Sequence, residues 1–407
     1  MKSTSSTEEK NTRNDAQEEL VEIVREIMDI DHLTWGRSQD EVLVSFQGTL
    51  TGPSRESYDQ ISSQLREYQI TPLFRKSEGK HLILLKKGVI QPKKRKSWVN
   101  IVLFVITFFS ILFAGVYTTY SGPQVLDWDV IWIHVRPRLG ESLGFAVSLL
   151  SILTAHEFGH YFTARRHRTK VTLPYFIPFP ISPFGTMGAF ISLQEPPRNK
   201  RVLLDIGIAG PLAGLVVAVP VLIYGLTLSP VEPLPGSITS PFLFEGNSLL
   251  YLFLKYLVHG QWLPQPASFA NLPPFLYWVQ YFFTGTPLPE GGLDVSIHPI
   301  AWAGWAGLLV TALNLLPAGQ LDGGHLVFGL FGQKARKIWP FLLVILIALG
   351  FAWAGWWLWA FLILLFGRAQ AEPLDQITDL NPARKVLAWF GLIVFILVFM
   401  PVPLVVI

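Results

Sequence analysis

The chain contains no cysteine. Disulfides are excluded, and so is any metal site built on thiolates; a bound metal would have to rest on histidine and carboxylate. Charge is scarce as well. Only 15% of the 407 residues are charged, 50% are hydrophobic, and the mean hydropathy is +0.39. That is the makeup of a membrane protein. The net charge is a small +3, and the basic residues cluster beside apolar runs, so a nucleic-acid partner is not expected. The N-terminus, from Met1 to Lys10, has no apolar stretch. It reads as neither a secretory signal nor an Arg-rich transit peptide, and residues 1–15 are expected to be a disordered lead. No internal repeat is visible, which argues against a repeat-built transporter.

Residues 16–96 read as a small cytoplasmic α+β domain. Leu20, Ile23, Val24 and Ile27 share one face of a helix expected over residues 17–30. A strand is expected over 41–46, a second helix from Pro53 to about Tyr68, and strands over 70–74 and 81–85, joined through Ser77-Glu-Gly. Residues 97–407 form the membrane domain, so the fold class is a polytopic α-helical membrane protein with six to seven transmembrane helices. Lys93-Lys-Arg-Lys96 abuts the first span, about 98–120, and Arg165-Arg-His-Arg168 follows the second, about 141–164. Basic residues stay on the cytoplasmic side, so both clusters face inward. Spans are expected at about 203–226, 299–316 and 386–402, with residues 339–366 read as a tight helical pair and a single tilted helix as the alternative. The long connection 227–297 holds Lys255 as its single Lys or Arg and is expected outside, with a short interfacial helix over 248–258.

Inside the second span stands His156-Glu-Phe-Gly-His160, following a stretch without charge from Leu143 to Ala155. On a helix the two histidines lie on one face and can grip one metal ion, while Glu157 can deprotonate a metal-bound water. Bare ionisable residues at bilayer depth are costly and usually functional. A catalytic zinc site wants a third protein ligand. Asp322, in Asn314-Leu-Leu-Pro-Ala-Gly-Gln-Leu-Asp-Gly-Gly-His325, follows the fourth span at the same inner face. It is also a plausible helix-terminal turn residue, since Asp-Gly is a turn signal. Asn314 can serve the oxyanion or the substrate backbone, or else a helix–helix hydrogen bond; His325 can support a ligand, although a plain loop residue is the stronger reading. Asp205 is the next carboxylate in line. His32, His81, His134, His167 and His298 are assigned no role.

HExxH in one membrane helix with a later Leu-Asp-Gly resembles the site-2 protease family of intramembrane zinc metalloproteases, peptidase family M50. Ala209-Gly-Pro-Leu-Ala-Gly214 is similar to that family's Gly-Pro stretch, and Gly185-Thr-Met-Gly188 to the segment after its zinc helix. Gly48-Thr-Leu-Thr-Gly52 resembles the Gly-Asn-Leu-Arg-Gly element of the ethylene-dependent gravitropism-deficient and yellow-green branch of plants and bacteria. Thr49 and Thr51 replace its Asn and Arg. The resemblance implies one Zn2+ per chain held by His156, His160 and Asp322, with Glu157 as general base. It also implies a transmembrane protein substrate, such as an anti-sigma factor or a membrane-tethered regulator.

Residues 171–185 are too proline-rich for a helix and too apolar for a solvated loop. A re-entrant hairpin beside the metal is expected, whose edge pairs with an unwound substrate, with Phe184, Gly185, Thr186 and Gly188 forming this clamp; the alternative is an interfacial lid with no substrate contact. The competing class is a non-proteolytic metal-binding scaffold or transporter. Transport would spread ionisable residues over several spans, and a scaffold would have no need of Glu157. The expected location is a multi-pass protein of the bacterial plasma membrane, with a thylakoid or other internal membrane as the alternative.

The topology is testable in this cysteine-free chain. Cysteines introduced at residues 60 and 330 should resist an impermeant thiol reagent in intact cells, and one at residue 240 should react. Labelling at 330 but not at 240 would invert the scheme.

Overall fold

The computed structural model describes residues 4–37, 40–77, 79–89, 96–120, 127–235, 243–369 and 371–406. Lys93, Lys94, Arg95 and position 240, used above for sidedness, lie outside them, as does Glu78 of the expected turn. The chain forms two compact units.

The first unit contains α1 (Thr4–Arg25), β1 (Met28–Trp35), β2 (Val42–Leu50), α2 (Ser54–Leu65), β3 (Ile70–Ser77) and β4 (Lys80–Lys87). Its antiparallel sheet has the order β1-β2-β4-β3. Val24, Ile61 and Leu65 of the helices pack on Val44, Phe46, Phe74, Ile83 and Leu85, all fully buried. Two expectations are corrected here. Helix α1 begins at Thr4, within the expected lead, and ends at Arg25. The chain from Met28 then pairs with β2, Met28 opposite Leu50, in place of the helix expected to Ile30. Cross-strand pairing overrides the helical spacing of the apolar residues. A Cβ on Gly48 would lie 1.9 Å from the Asp29 carbonyl oxygen, so glycine is needed at the bulge where β1 shifts register.

A further correction concerns the boundary. This unit also contains Gln194–Leu203 and Glu372–Asn381, which a division at residue 96 assigns to the membrane part. The amide of Phe74 donates to Leu374 (2.9 Å) and that of Gln376 to Phe74 (3.0 Å). The amides of Leu374 and Asp375 donate to Pro197 and Arg198 (3.0 and 2.8 Å). The open edge of β3 is thereby paired, which satisfies its backbone groups. Asp375 is fully buried at the centre. Its Oδ1 accepts from the Ser54 hydroxyl (2.9 Å) and from the amides of Ile377 (2.8 Å) and Thr378 (3.1 Å). Lys200 pairs with Asp379 at 2.6 Å.

The second unit is mainly helical. It begins with α3 (Trp98–Thr119) and α4 (Trp128–Val135), which leads through a 3-10 turn into α5 (Leu139–Arg166). The hairpin of β5 (Tyr175–Pro178) and β6 (Thr186–Phe190) comes next, then α6 (Lys200–Thr227), whose first turn belongs to the first unit. After it come β7 (Val231–Pro233), β8 (Leu243–Glu245), α7 (Leu249–His259), α8 (Pro274–Thr284) and β9 (Leu293–Val295). The remainder is α9 (Pro299–Asn314), α10 (Asp322–Phe331), α11 (Trp339–Gly350), α12 (Gly355–Phe366), α13 (Pro382–Val398) and β10 (Leu404–Val406). Among the described residues, three helical runs are long and apolar enough to cross a membrane: Trp98–Thr119, Trp128–Arg166 and Lys200–Thr227. The expected pair over 339–366 is two helices, broken at residues 351–354.

The connection between α6 and α9 carries its own structure. Here β8 pairs with β10, and β7 with β9. Lys255 is fully buried, 3.4 Å from Asp294, and Tyr251 donates to Glu245 at 3.0 Å. Burial, reinforced by Asp294, pushes the Glu245 carboxyl above its ordinary range.

Asp375→Ala should destabilise the first unit by about 2–4 kcal/mol, because it strands several buried donors. Asp379→Ala should cost less than about 1 kcal/mol, since its side chain is 77% exposed. Pulse proteolysis of the two variants compares them directly; equal costs would show that Asp375 is not the keystone.

Candidate metal centre

Helix α5 places His156 and His160 one turn apart, both buried. Their Nε2 atoms are 3.2 Å apart. Asp322 Oδ2 lies 3.4 Å from His156 Nε2 and 3.3 Å from His160 Nε2. Ligand bonds of about 2.0–2.1 Å at tetrahedral angles put neighbouring ligand atoms about 3.3–3.4 Å apart. All three edges match that spacing, so two imidazoles and one carboxylate fit a tetrahedral ion such as zinc, with a fourth position left for water or substrate. His160 Nδ1 sits 2.7 Å from the Ile206 carbonyl oxygen and donates to it. The proton on Nδ1 leaves Nε2 with its lone pair facing the other two ligand atoms.

Helix α6 can lie this close because its facing residues are small. A Cβ on Gly210 would fall 2.0 Å from His160 Nε2, and one on Gly214 would fall 3.2 Å from His156 Nδ1. From the other side, a Cβ on Gly159 would meet the Ala209 carbonyl oxygen at 2.5 Å. The Ala209–Gly214 stretch is thus the floor under both imidazoles.

Asp322 arrives by a different route. After α9 the chain bends through Pro317 and Gly319, the latter at φ +59°. It folds back so tightly that a Cβ on Gly323 would lie 1.9 Å from the Leu315 carbonyl oxygen. Asp322 is the first residue of α10, where the helix dipole favours a carboxylate. Residues 322–331 are helical rather than loop, which corrects the reading of His325: it lies on α10 and faces Gly207. Asn314, the last residue of α9, brings Nδ2 to 3.3 Å from His156 Nε2 and so borders the site.

Glu157 is buried beside the histidines, with the Ile191 backbone next to its carboxylate. Ile191 immediately follows β6, so the hairpin reaches the site through its backbone. Phe184 stacks on Trp302 of α9 with ring centres 5.5 Å apart. Gly185, at φ +70°, is held by Ser110 Oγ donating to its carbonyl (2.6 Å), and a Cβ there would meet Ile111 Cα at 2.5 Å. Thr186 Oγ1 donates to Ile177 across the hairpin at 2.8 Å. Gly188, at φ +101°, has nothing within 4 Å of where a Cβ would be.

Asp205 is committed elsewhere. Arg384 Nε and Nη2 reach its two oxygens at 2.9 and 2.7 Å, and His167 Nε2 lies 3.0 Å from Oδ2. His167, read as part of a basic flank, therefore has a specific partner. Sequence reasoning missed Ile191 and Ile206 because they act through backbone groups, which side-chain identity does not reveal.

The family model of peptidase family M50 matches residues 144–352. Among named proteins, the chain is 30% identical to the probable zinc metalloprotease EGY1, chloroplastic, of Arabidopsis thaliana, over 78% of this chain and 56% of that protein. It is 29% identical to EGY1 of Oryza sativa subsp. japonica, over 89% of this chain and 62% of the relative. It is 26% identical to the probable zinc metalloprotease EGY2, chloroplastic, of Oryza sativa subsp. indica, over 83% and 57%. The chain thus spans less than two thirds of the length of these relatives. No solved structure matches it significantly.

Gly210→Ala should lower the metal content of purified protein by about tenfold or more, because its methyl group displaces a ligand nitrogen. Asp205→Asn should leave the metal in place. Elemental analysis reads both, and unchanged metal in Gly210→Ala would sink the argument for a shared floor.

Proposed function

Because the chain belongs to peptidase family M50, we propose that it is an intramembrane zinc metalloendopeptidase that cuts a transmembrane segment of a membrane protein. The observation that carries this reading is the meeting of His156, His160 and Asp322 within 3.4 Å, with Glu157 on the same helix turn. His156, His160 and Asp322 would hold one Zn2+. When bound, zinc supplies Lewis acidity toward the scissile carbonyl and makes water more acidic.

The chain's own residues divide the remaining work. Glu157, on the same helix turn as His156 and His160, takes the proton of the attacking water and passes it to the leaving amine. The Asn314 amide, at the border of the site, donates to the carbonyl oxygen as it gains charge. The edge of β6 beside Glu157 pairs with the substrate segment, which must unwind to expose its amide; the open space at Gly188 leaves room for it. In a scaffold or transporter, Glu157 would have no use.

Seven membrane helices account for the chain: α3, α5, α6, α9, α11, α12 and α13. Segments 194–203 and 372–381 fold with the N-terminal strands in one unit, which supports one side for all three. Residues 339–366 must then enter and leave the membrane on that side. Helices α11 and α12, with 12 residues each, are about 18 Å long against a hydrocarbon core of about 30 Å. They form a pair that dips in and returns. The N-terminal unit is cytoplasmic on the positive-inside argument. The substrate is a membrane-tethered regulator, anti-sigma factors being one such class. Relatives named as chloroplastic favour an internal membrane such as the thylakoid over the plasma membrane; there the cysteine labelling is read on sealed membranes with their cytoplasm-equivalent face outward, on which residues 60 and 330 react and residue 240 is protected until the membranes are opened.

Glu157→Gln should retain zinc and fold, yet lose cleavage of a model transmembrane substrate by several orders of magnitude. Asp322→Asn should lose both zinc and activity. Near wild-type cleavage by Glu157→Gln would end the proteolytic reading, and normal zinc affinity in Asp322→Asn would move the third ligand elsewhere.

A further inference from the structure

Strand β6 is held at both ends, and the two ends lie far apart. At one end Ile191 borders Glu157. At the other, the turn before β6 brings Phe184 against Trp302, in the first turn of α9. Trp302 and Asn314 are twelve positions apart on that helix, about 18 Å along its axis. The turn is therefore seated well away from the metal ligands.

Its seat is a column of rings. Phe184 stacks on Trp302 with centres 5.5 Å apart, and Trp302 stacks on Trp305 at 4.7 Å with planes 7° apart. Trp305 is fully buried, and its Nε1 donates to the Gly246 carbonyl at 2.8 Å. Gly246 follows β8 in the connection between α6 and α9 and is closely held there. Its amide donates to Pro403 at 2.6 Å, and a Cβ on it would fall 1.8 Å from the Val402 carbonyl oxygen. The neighbouring Glu245 accepts from Tyr251, and Lys255 lies against Asp294, so buried polar groups tie β8, α7 and β9 together around this anchor.

We infer that Trp302 and Trp305 are positioning residues for the substrate: they fix the turn of the hairpin to the connection between α6 and α9, and so set the line of the β6 edge. The inference rests on the proteolytic reading above. An incoming strand needs an edge of fixed direction, because backbone hydrogen bonds tolerate only small errors of distance and angle. Ser110 holds Gly185 through one hydrogen bond, about which the hairpin could pivot. The ring column supplies the second point of attachment that stops the pivot.

The test uses the full chain in phosphatidylcholine nanodiscs and a model transmembrane substrate. Trp302→Leu removes the middle ring and should raise KM about tenfold with kcat unchanged. Trp302→Phe keeps a stacking ring and should stay within about threefold of the unmodified KM. Trp305→Phe keeps a ring but leaves the Gly246 carbonyl unpaired, and should raise KM about fivefold. Added to Trp302→Leu it should change nothing further, because the rings act in series. Hydrogen exchange needs no activity: the amides of residues 184–190 should exchange about tenfold faster in Trp302→Leu and in Trp305→Phe, with zinc content unchanged. A fall in kcat at unchanged KM, fully additive effects of the two substitutions, or unchanged exchange in the hairpin would each overturn the proposal. An unmodified protein that cuts no transmembrane substrate would reject the proteolytic reading and with it the substrate role, while faster exchange in the variants would still show that the column seats the hairpin.

Discussion

Three lone-pair atoms face one another within 3.4 Å among apolar helices. Such a cluster calls for positive charge at its centre, and the residues packed around it hold the three atoms together. Two come from one helix at a spacing of one turn, which costs nothing beyond forming the helix. The third comes from the start of another helix, 162 positions after His160 in the chain. Glycines remove the side chains that would otherwise separate them. Gly210 and Gly214 let α6 lie against the imidazoles, and Gly323 lets α10 start directly under the end of α9.

The same constraint explains the backbone contacts. Ile206 and Ile191 contribute backbone groups, not side chains. The Ile206 carbonyl sets the tautomer of His160, and the Ile191 backbone lies beside the carboxylate of Glu157. Both come from elements packed against α5, so the electronic state of the site depends on helix packing. The hairpin adds a second constraint. It is fastened by Ser110 to α3 and by Phe184 to α9, while Gly188 stays open. A strand anchored on one side and open on the other is suited to receive a partner.

Unit one shows how distant segments complete a small domain. A four-stranded sheet with two helices has an open edge at β3, and Leu374–Gln376 close it. Asp375 binds this segment to the start of α2 through Ser54. Because Gln194–Leu203 includes the first turn of α6 and Glu372–Asn381 runs up to α13, the chain passes between the two units at the start of each of these helices.

Local pattern was enough for the elements whose signal is local. The span at Trp98–Thr119, the strands β2, β3 and β4, the break within 339–366 and the spacing of His156 and His160 follow from hydropathy and period. Glu157 and Asp322 could be named as candidates because each stands in a short motif with a chemical purpose. The sequence could not reveal groups that act across space. The start of β1, residues 28–30, reads as helix until its partner β2 is present. Asp205 reads as a spare ligand until Arg384, 179 positions later, takes both its oxygens. Periodicity and motif report what a residue does with its neighbours in the chain, whereas hydrogen-bond satisfaction and close packing depend on residues that only the folded chain brings together.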